Sequence, residues 1–183
     1  MNVRTIGCLE LNSIAMGLYA ADEMAKAAQV DLIVARPTCP GRYLVIVAGD
    51  TGSVHTAVDV GREIGGEMVV DWFVLANVHQ DVLPALSGTG LRSSVNALGV
   101  IETATTASCI LAADAAAKAG MVELLEIRFA AGLGGKAFVT MTGDVGSVKS
   151  SVEAGVAGVG DGGPVLSHVV IPSPSAALKA QLL

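Results

Sequence analysis

The chain has 183 residues, of which 52% are hydrophobic, 3% aromatic and 15% charged, and its net charge is −6. An acidic chain without a basic cluster is not expected to bind nucleic acid. Its longest apolar runs fall short of the roughly 20 residues that a membrane-spanning helix needs, and its first residues show no signal-peptide pattern, so we expect a cytoplasmic protein. Because the charged fraction lies well below the roughly 25% typical of soluble domains, we also expect other subunits to cover part of the surface.

Predicted strands and helices alternate along the first half of the chain. Strands are predicted over 3–11, 30–36, 43–48 and 67–75, and helices after an N-cap at Ser13, over 49–65 and over 78–86. The first helix carries an apolar stripe at helical spacing, which predicts its core-facing side: Ile14, Leu18, Ala21, Ala25 and Ala28. The second helix opens with a capping Asp50 and carries small or apolar residues on one face: Val54, Ala57, Val58 and Gly61.

The sequence contains the same unit twice. Residues 7–36 align with residues 99–128 without a gap, and about twelve of the thirty positions are identical. After a short length difference the match resumes, with residues 48–58 against residues 142–152. The chain is therefore read as a tandem duplication.

The duplication sets the expected domain organisation. A Gly- and Ser-rich stretch, LSGTGLRSSVN, separates the two copies. We predict a first domain over 1–90, a linker over 91–96 and a second domain over 97–183. The order β-α-β-β-α-β within each copy predicts an α/β (α+β) chain with two ferredoxin-like domains.

The motifs of both copies resemble the bacterial microcompartment shell domain. In that family the first strand ends in Glu, the first helix contains Ala-Ala-Asp and Lys, and a Gly-Asp-x-Gly-x-Val turn precedes the second helix. Here these motifs are Glu10, Ala20–Asp22, Lys26 and Gly49–Val54, and again Glu102, Ala112–Asp114, Lys118 and Gly143–Val148. The elements keep the standard, unpermuted order in both copies, so the chain is similar to tandem-domain, trimer-forming shell proteins.

The resemblance implies a structural protein, not an enzyme, in the shell of a microcompartment in the bacterial cytoplasm. It implies that three chains form a pseudohexameric homotrimer, which tiles with hexameric shell proteins. It also implies that the loops between the second and third strands line a central pore. The pore-loop residues are Thr38, Pro40 and Gly41 in the first copy and Gly132, Leu133, Gly134 and Gly135 in the second.

Two features recur in both copies and have simple structural explanations. Lys26 and Lys118 are on helices, where a lysine is usually only solvated, but the resemblance places both at the rim, against a neighbouring assembly.

The Gly-Asp-x-Gly-Ser turns precede helices, where backbone amides can bind phosphate. Their aspartates disfavour an anion and favour helix capping. The sequence departs from the family pattern in one respect. The family has a Pro-Arg-Pro-like segment after the fourth strand, but the corresponding segments here, LANVH and IPSPS, contain no arginine.

For most residues with metal-binding or nucleophilic side chains, the surrounding sequence does not indicate a metal-binding or catalytic site. Cys8 and Cys109 lie in an apolar strand and an apolar helix, and both are expected to be inert core thiols. The histidines have no metal-like spacing: His55, His79 and His168. No nucleophile–base pair or paired carboxylate is apparent.

Cys39 differs because it lies in a loop between Pro37 and Pro40, and the second copy has Ala131 or a neighbour in its place. It could be a free loop thiol. If three chains meet on a threefold axis, however, three Cys39 thiolates converge. A 4Fe–4S cubane has the same symmetry, with three equivalent irons around an axis through the fourth, although four cysteines are the usual set. A zinc ion bound by three thiolates and water is the competing possibility.

We therefore expect a trimeric shell protein in which Cys39 of each chain holds a shared 4Fe–4S cluster. The cluster would carry electrons across the shell, with a luminal or cytosolic redox enzyme as a further partner. The alternatives are an open pore for small polar metabolites, supported by the glycine-rich AGLGG stretch, and a ligand sensor or enzyme, which a ferredoxin-like scaffold also permits.

Overall fold

The computed structural model describes residues 5–89, 94–129, 132–160 and 165–182, and these form two four-stranded sheets with helices. The first copy contains β1 (Thr5–Leu11), α1 (Ile14–Ala27), β2 (Asp31–Thr38), β3 (Arg42–Gly49), α2 (Thr51–Gly65), a 3₁₀ turn (Gly66–Met68), β4 (Val69–Ala76) and α3 (Val82–Leu86). The second contains β5 (Ala97–Thr103), α4 (Thr106–Ala119), β6 (Val122–Phe129), β7 (Ala137–Gly143), α5 (Val145–Gly158), β8 (Val165–Ile171) and α6 (Ala176–Leu182).

The strand order is the same in both sheets. It is β2-β3-β1-β4 in the first and β6-β7-β5-β8 in the second, with β1 and β5 at central positions. β1 pairs antiparallel with β3 and β4, and β5 pairs antiparallel with β7 and β8. The predicted fold, two ferredoxin-like domains in unpermuted order, is confirmed.

The first core lies where α1 and α2 pack on one face of the sheet. It is aliphatic, as the composition requires, and includes Leu9, Val45, Val47, Val54 and Val58. A Cβ atom added at Gly7 of β1 would lie 2.5 Å from Val58 Cγ2, so only glycine lets α2 approach this closely. The repeated glycine of the first strand is therefore a packing residue.

The second core follows the same plan. Its buried residues include Ile101, Val139, Met141, Val148 and Val152. A Cβ atom at Gly99, the counterpart of Gly7, would lie 2.8 Å from Val148 Cγ1. The same close approach of helix to strand thus explains why this glycine occurs in both copies.

The predicted core-facing stripe of α1 is confirmed only in part. Ala21 is buried and Ala28, just after the helix, packs against the core, but Ile14, Leu18 and Ala25 are exposed. The other buried residues of the helix are Gly17, Ala20 and Met24. The reason is the close approach of β3: a Cβ atom at Gly17 would lie 2.3 Å from Tyr43 Cβ. α1 therefore packs through Met24 and its small residues, while Ile14 and Leu18 face outward.

The predicted helix caps are confirmed in the first copy. Ser13 Oγ accepts a hydrogen bond from Met16 N at 3.3 Å, and Asp50 Oδ1 accepts one from Ser53 N at 3.0 Å. Asp144 occupies the N-cap position of α5, but its side chain makes no capping hydrogen bond in the described part of the chain. The second turn therefore keeps the position of the cap without its side-chain contact.

Contacts between Cα atoms divide the chain into two compact units. The first comprises 1–78, 105–107 and 129–135, and the second comprises 79–104, 108–128 and 136–183. The domain limits 1–90 and 97–183 stay a prediction, and part of the expected linker, residues 91–93, lies outside the described residues. None of the described helices is both long and apolar enough to span a membrane.

Candidate functional site

Cys39 is at the tip of the β2–β3 hairpin. The strand pairing runs to Thr38 and Arg42, and Gly41 N donates a hydrogen bond to the Thr38 carbonyl at 3.0 Å. Gly41 has φ +89°, a left-handed conformation that strongly favours glycine and closes the turn. Pro40 and Gly41 are exposed and the Cys39 side chain is partly exposed. The hairpin thus presents one accessible thiol on a short turn.

Thr38, the last residue of β2, is buried, unlike its neighbours in the turn. Within the described residues its hydroxyl has no hydrogen-bond partner. The expected pore loop of the first copy therefore exposes Pro40 and Gly41 but not Thr38.

The corresponding loop of the second copy lies between β6 and β7. The expected counterpart of Cys39 is Ala131 or a neighbour, and Ala131 lies outside the described residues. Gly132, Gly134 and Gly135 all have positive φ, at +76°, +61° and +90°, and Leu133 is partly exposed. The backbone of this loop therefore adopts left-handed conformations that favour glycine.

The two loops meet within the first compact unit. A Cβ atom at Gly135 would lie 3.0 Å from Pro40 Cδ, and Arg42 Nη1 donates to the Gly135 carbonyl at 3.4 Å. Arg42 therefore reaches from the base of the Cys39 hairpin to the glycine loop. Of the predicted pore-loop residues, the structure brings Pro40 and Gly135 together.

Arg42 also belongs to a buried ion pair. Its Nη1 lies 2.8 Å from Glu10 Oε1, and Glu10 Oε2 accepts a hydrogen bond from Thr106 N at 2.8 Å. Burial raises the pKa of Glu10, and the hydrogen bond from Arg42 opposes this shift without cancelling it. The pair fixes Arg42 and, through it, the base of the hairpin.

Sequence analysis assigned no role to this pair, although the signal was present. Glu10 recurs as Glu102, and the basic residue also recurs: Lys136 Nζ lies 2.9 Å from Glu102 Oε1. A search for charges of opposite sign that recur together in both copies would have found it.

The other two cysteines are core residues, as expected. Cys8 and Cys109 have no exposed surface. Burial raises the pKa of Cys109 to about 12 and that of Cys8 well above its ordinary value. Neither thiol is available as a ligand.

The described residues of one chain contain no group of three His, Cys, Asp or Glu side chains that could hold a metal ion. One chain therefore offers a single thiol donor at Cys39. Within the described residues, a metal or cluster bound at Cys39 would need further ligands from outside this set, such as Cys39 of other copies of the chain.

The two predicted rim lysines make equivalent ion pairs in unequal settings. Lys26 is exposed and bonds Asp22 and Glu23, and these carboxylates raise the pKa of Lys26. Lys118 Nζ lies 2.6 Å from Asp114, whose side chain is buried. His79 N also donates to Asp114, at 2.7 Å. The rim role of both lysines stays a prediction.

Comparison with known proteins identifies both copies. The BMC domain family matches residues 5–78 and 97–174. The bacterial microcompartment shell protein PduT of Citrobacter freundii is 41% identical over 180 residues, covering 98% of each chain. A carboxysome shell protein of Prochlorococcus marinus, CsoS1, is 37% identical over 84 residues, which is 44% of this chain and 82% of that protein.

A crystal structure of a microcompartment protein from Desulfitobacterium hafniense DCB has a TM-score of 0.88 and 51% identity, and the alignment covers 97% of this chain and 99% of that one. The relatives are shell proteins, so the expectation of a structural protein rather than an enzyme is confirmed. The resemblance to PduT extends over the whole chain. On these matches and on its duplicated fold, the chain belongs to the BMC domain family and is a tandem-domain shell protein of bacterial microcompartments.

Proposed function

We propose that the chain is a homotrimeric facet component in which Cys39 of each copy ligates one shared 4Fe–4S cluster. The observation that carries this proposal is the contrast among the cysteines: Cys39 is accessible at a hairpin tip, whereas Cys8 and Cys109 are fully buried. A threefold axis turns one thiol per chain into three equivalent ligands. When bound, such a cluster supplies one-electron transfer at a potential set by its surroundings.

The residues around Cys39 prepare the thiol for this role. The β2–β3 pairing and the Gly41 turn fix the backbone on both sides, and Pro37 and Pro40 restrict it further. A stiff turn loses little conformational entropy when three copies are brought together. The partly exposed side chain needs no unfolding to reach a ligand outside its own chain.

The assembly would act as an electron-conducting tile of the shell. Its rim, with Lys26 and Lys118, would contact hexameric shell proteins, and a luminal or cytosolic redox enzyme would exchange electrons with the centre. Because the cluster occupies the axis, the same pore would not pass metabolites. Electron transfer through the cluster and transport of metabolites are therefore mutually exclusive functions of this pore.

Anaerobic purification tests the cluster directly. We expect brown protein with broad visible absorbance, containing iron and acid-labile sulfide, with a mass near three times the 18.4 kDa of one chain. Cys39→Ala is expected to lose the iron while keeping the mass. Cys109→Ala, which changes a buried thiol, is the matched control and is expected to keep both.

An open pore for small polar metabolites is the second candidate. It is favoured by the glycine loop, because around Gly132 and Gly134 no described atom lies within 4 Å of an added Cβ, so the backbone there is accessible. Trimeric protein that contains neither iron nor zinc would support the open pore and contradict the cluster. Trimeric protein with zinc in place of iron would support a zinc site at Cys39.

A further inference from the structure

The duplication allows each contact of one copy to be sought at its counterpart in the other. The sheet registers fix the correspondence, since Leu11 pairs with Tyr43 and its counterpart Thr103 pairs with Ala137. Arg42 therefore corresponds to Lys136, and Gly41 corresponds to Gly135. Contacts that one copy makes and the other lacks then indicate where a second chain binds. This inference rests on the proposed trimer.

The ion pair occurs in both copies, but its carboxylate is buried in the first copy and partly exposed in the second. The Glu10 side chain is 1% exposed, because it also accepts the N–H of Thr106 at the start of α4. Glu102, paired with Lys136, is 35% exposed. The counterpart of Thr106 is Ile14, which begins α1 and is exposed. A carboxylate and a helix start that match the first pair are thus both accessible.

The two equivalent helices show the same asymmetry. Ile110 of α4 is 0% exposed, whereas its counterpart Leu18 in α1 is 55% exposed. Thr106 is buried and its counterpart Ile14 is exposed. α1 therefore leaves accessible the aliphatic face that α4 buries, and covering such a face is the main driving force of association.

The two turns are also unequally surrounded. Gly41 and Gly135 have nearly the same φ, +89° and +90°. Gly135 is crowded by Pro40 and accepts a hydrogen bond from Arg42, at 3.4 Å. Around Gly41, no described atom lies within 4 Å of an added Cβ. Among the described residues of its own chain, the Cys39 turn thus lacks the basic neighbour that the glycine turn has.

We propose that Lys136 of one copy lies against the Cys39–Gly41 turn of the next copy and donates to the carbonyl of the partner's Gly41. In the same contact, Glu102 accepts the N–H of the partner's Ile14, and the α1 face with Leu18 becomes buried. Each Cys39 turn is therefore completed by a neighbouring chain.

The first test concerns the surface that becomes buried. Leu18→Glu is expected to convert the trimer to single chains in native mass spectrometry. Met121→Glu is the matched control, because Met121 is 87% exposed and its counterpart Gln29 is also exposed. Persistence of the trimer in Leu18→Glu would contradict the proposed contact.

The second test follows dissociation of the metal-free trimer into single chains on dilution, by native mass spectrometry. Lys136→Met is expected to raise the protein concentration at which half of the trimer dissociates about threefold to tenfold, because the hydrogen bond from the ammonium group to the carbonyl of the partner's Gly41 is lost. Lys136→Arg should restore most of the trimer stability. Lys149→Met, which removes the same charge from an exposed position of α5, should leave the dissociation unchanged.

The outcomes separate this inference from the proposed function. A wild-type mass of one chain overturns the trimer and with it this contact. A trimer that dissociates at the same protein concentration in Lys136→Met and Lys149→Met overturns the placement of Lys136 alone. Trimeric protein without iron contradicts the cluster, and the dilution profiles still decide whether Lys136 is at the turn.

Discussion

Gly7 and Gly99 show how a single hydrogen in place of a methyl group sets the packing of a domain. Each lies on a central strand under a helix, and an added Cβ would lie 2.5 Å and 2.8 Å from a valine methyl group, respectively. Both cores are aliphatic and nearly without aromatic residues, so their stability depends on this close approach.

We predict that Gly7→Ala lowers the free energy of unfolding by about 1–3 kcal/mol, because overpacking forces α2 away from β1. Chemical denaturation measures the change. Gly146→Ala is the control, since an added Cβ there has no described atom within 4 Å and alanine favours a helix. Equal stability of the two variants would contradict the packing role.

Glu10 makes a pH-dependent contribution of definite sign. Below the ordinary value of 4.5 its carboxyl is protonated in both the folded and the unfolded chain. As pH rises, the unfolded chain ionises first, because burial raises the pKa in the folded state. The folded state is therefore progressively disfavoured until pH passes the raised pKa.

We predict that wild-type protein loses stability relative to Glu10→Gln as pH rises from about 4 towards neutrality. Urea unfolding at a series of pH values, at one protein concentration, gives the difference. Glu63→Gln, at an exposed position, controls for the loss of one charge. Parallel pH profiles for wild type and Glu10→Gln would show that the buried carboxylate does not titrate with a raised pKa.

At the scale of elements, the two equivalent helices α2 and α5 begin differently although both follow a Gly-Asp-x-Gly-Ser turn. Asp50 caps α2 through Ser53 N, whereas the Asp144 side chain makes no capping bond to α5 in the described part of the chain. A capping hydrogen bond satisfies one of the free N–H groups at a helix start.

Asp50→Ala is expected to destabilise the protein by about 1 kcal/mol, and Asp144→Ala by a few tenths. The two changes are chemically identical, so each is the control for the other. Thermal unfolding of both variants measures the difference. A larger loss for Asp144→Ala would contradict the assignment of the caps.

At the scale of the whole molecule, assembly and metal binding are proposed to depend on different residues. Leu18, Glu102 and Lys136 are proposed to hold neighbouring chains together, and Cys39 alone is proposed to bind the cluster. The proposed contact between chains buries an aliphatic helix face, while the metal would occupy only the axis.

We predict that removing iron with a chelator leaves the trimer intact. Native mass spectrometry before and after chelation checks this, with Leu18→Glu as the variant expected to dissociate in both conditions. Dissociation of the wild type on loss of iron would show that the cluster, rather than the chain contacts, holds the assembly.

Much of the fold was predictable because it is encoded in local patterns. Alternating and helical hydrophobic periods placed the strands and helices, and Ser13 and Asp50 marked helix starts that the structure confirms. The duplication added a second sequence that predicts the same order of strands and helices. The stripe of α1 was predicted correctly at Ala21 but wrongly at Ile14 and Leu18, because hydrophobicity was ranked above size. Gly17 packs against Tyr43 while Leu18 faces outward.

The candidate site was predictable only in part. Cys39 stood out by its type, its flanking prolines and its absence from the second copy. The Arg42–Glu10 pair did not, because its importance comes from burial and from a partner far along the chain.

By itself, the sequence determined the duplicated ferredoxin-like fold, the family and the one unusual cysteine, since these depend on short-range periodicity and on comparing the chain with itself. Only the tertiary structure decided that Glu10 is buried against Thr106, 96 residues away, and that the glycine loop lies against the Cys39 hairpin. The physical reason is that burial and charge pairing depend on which distant surfaces fold together, and residue type alone does not specify that.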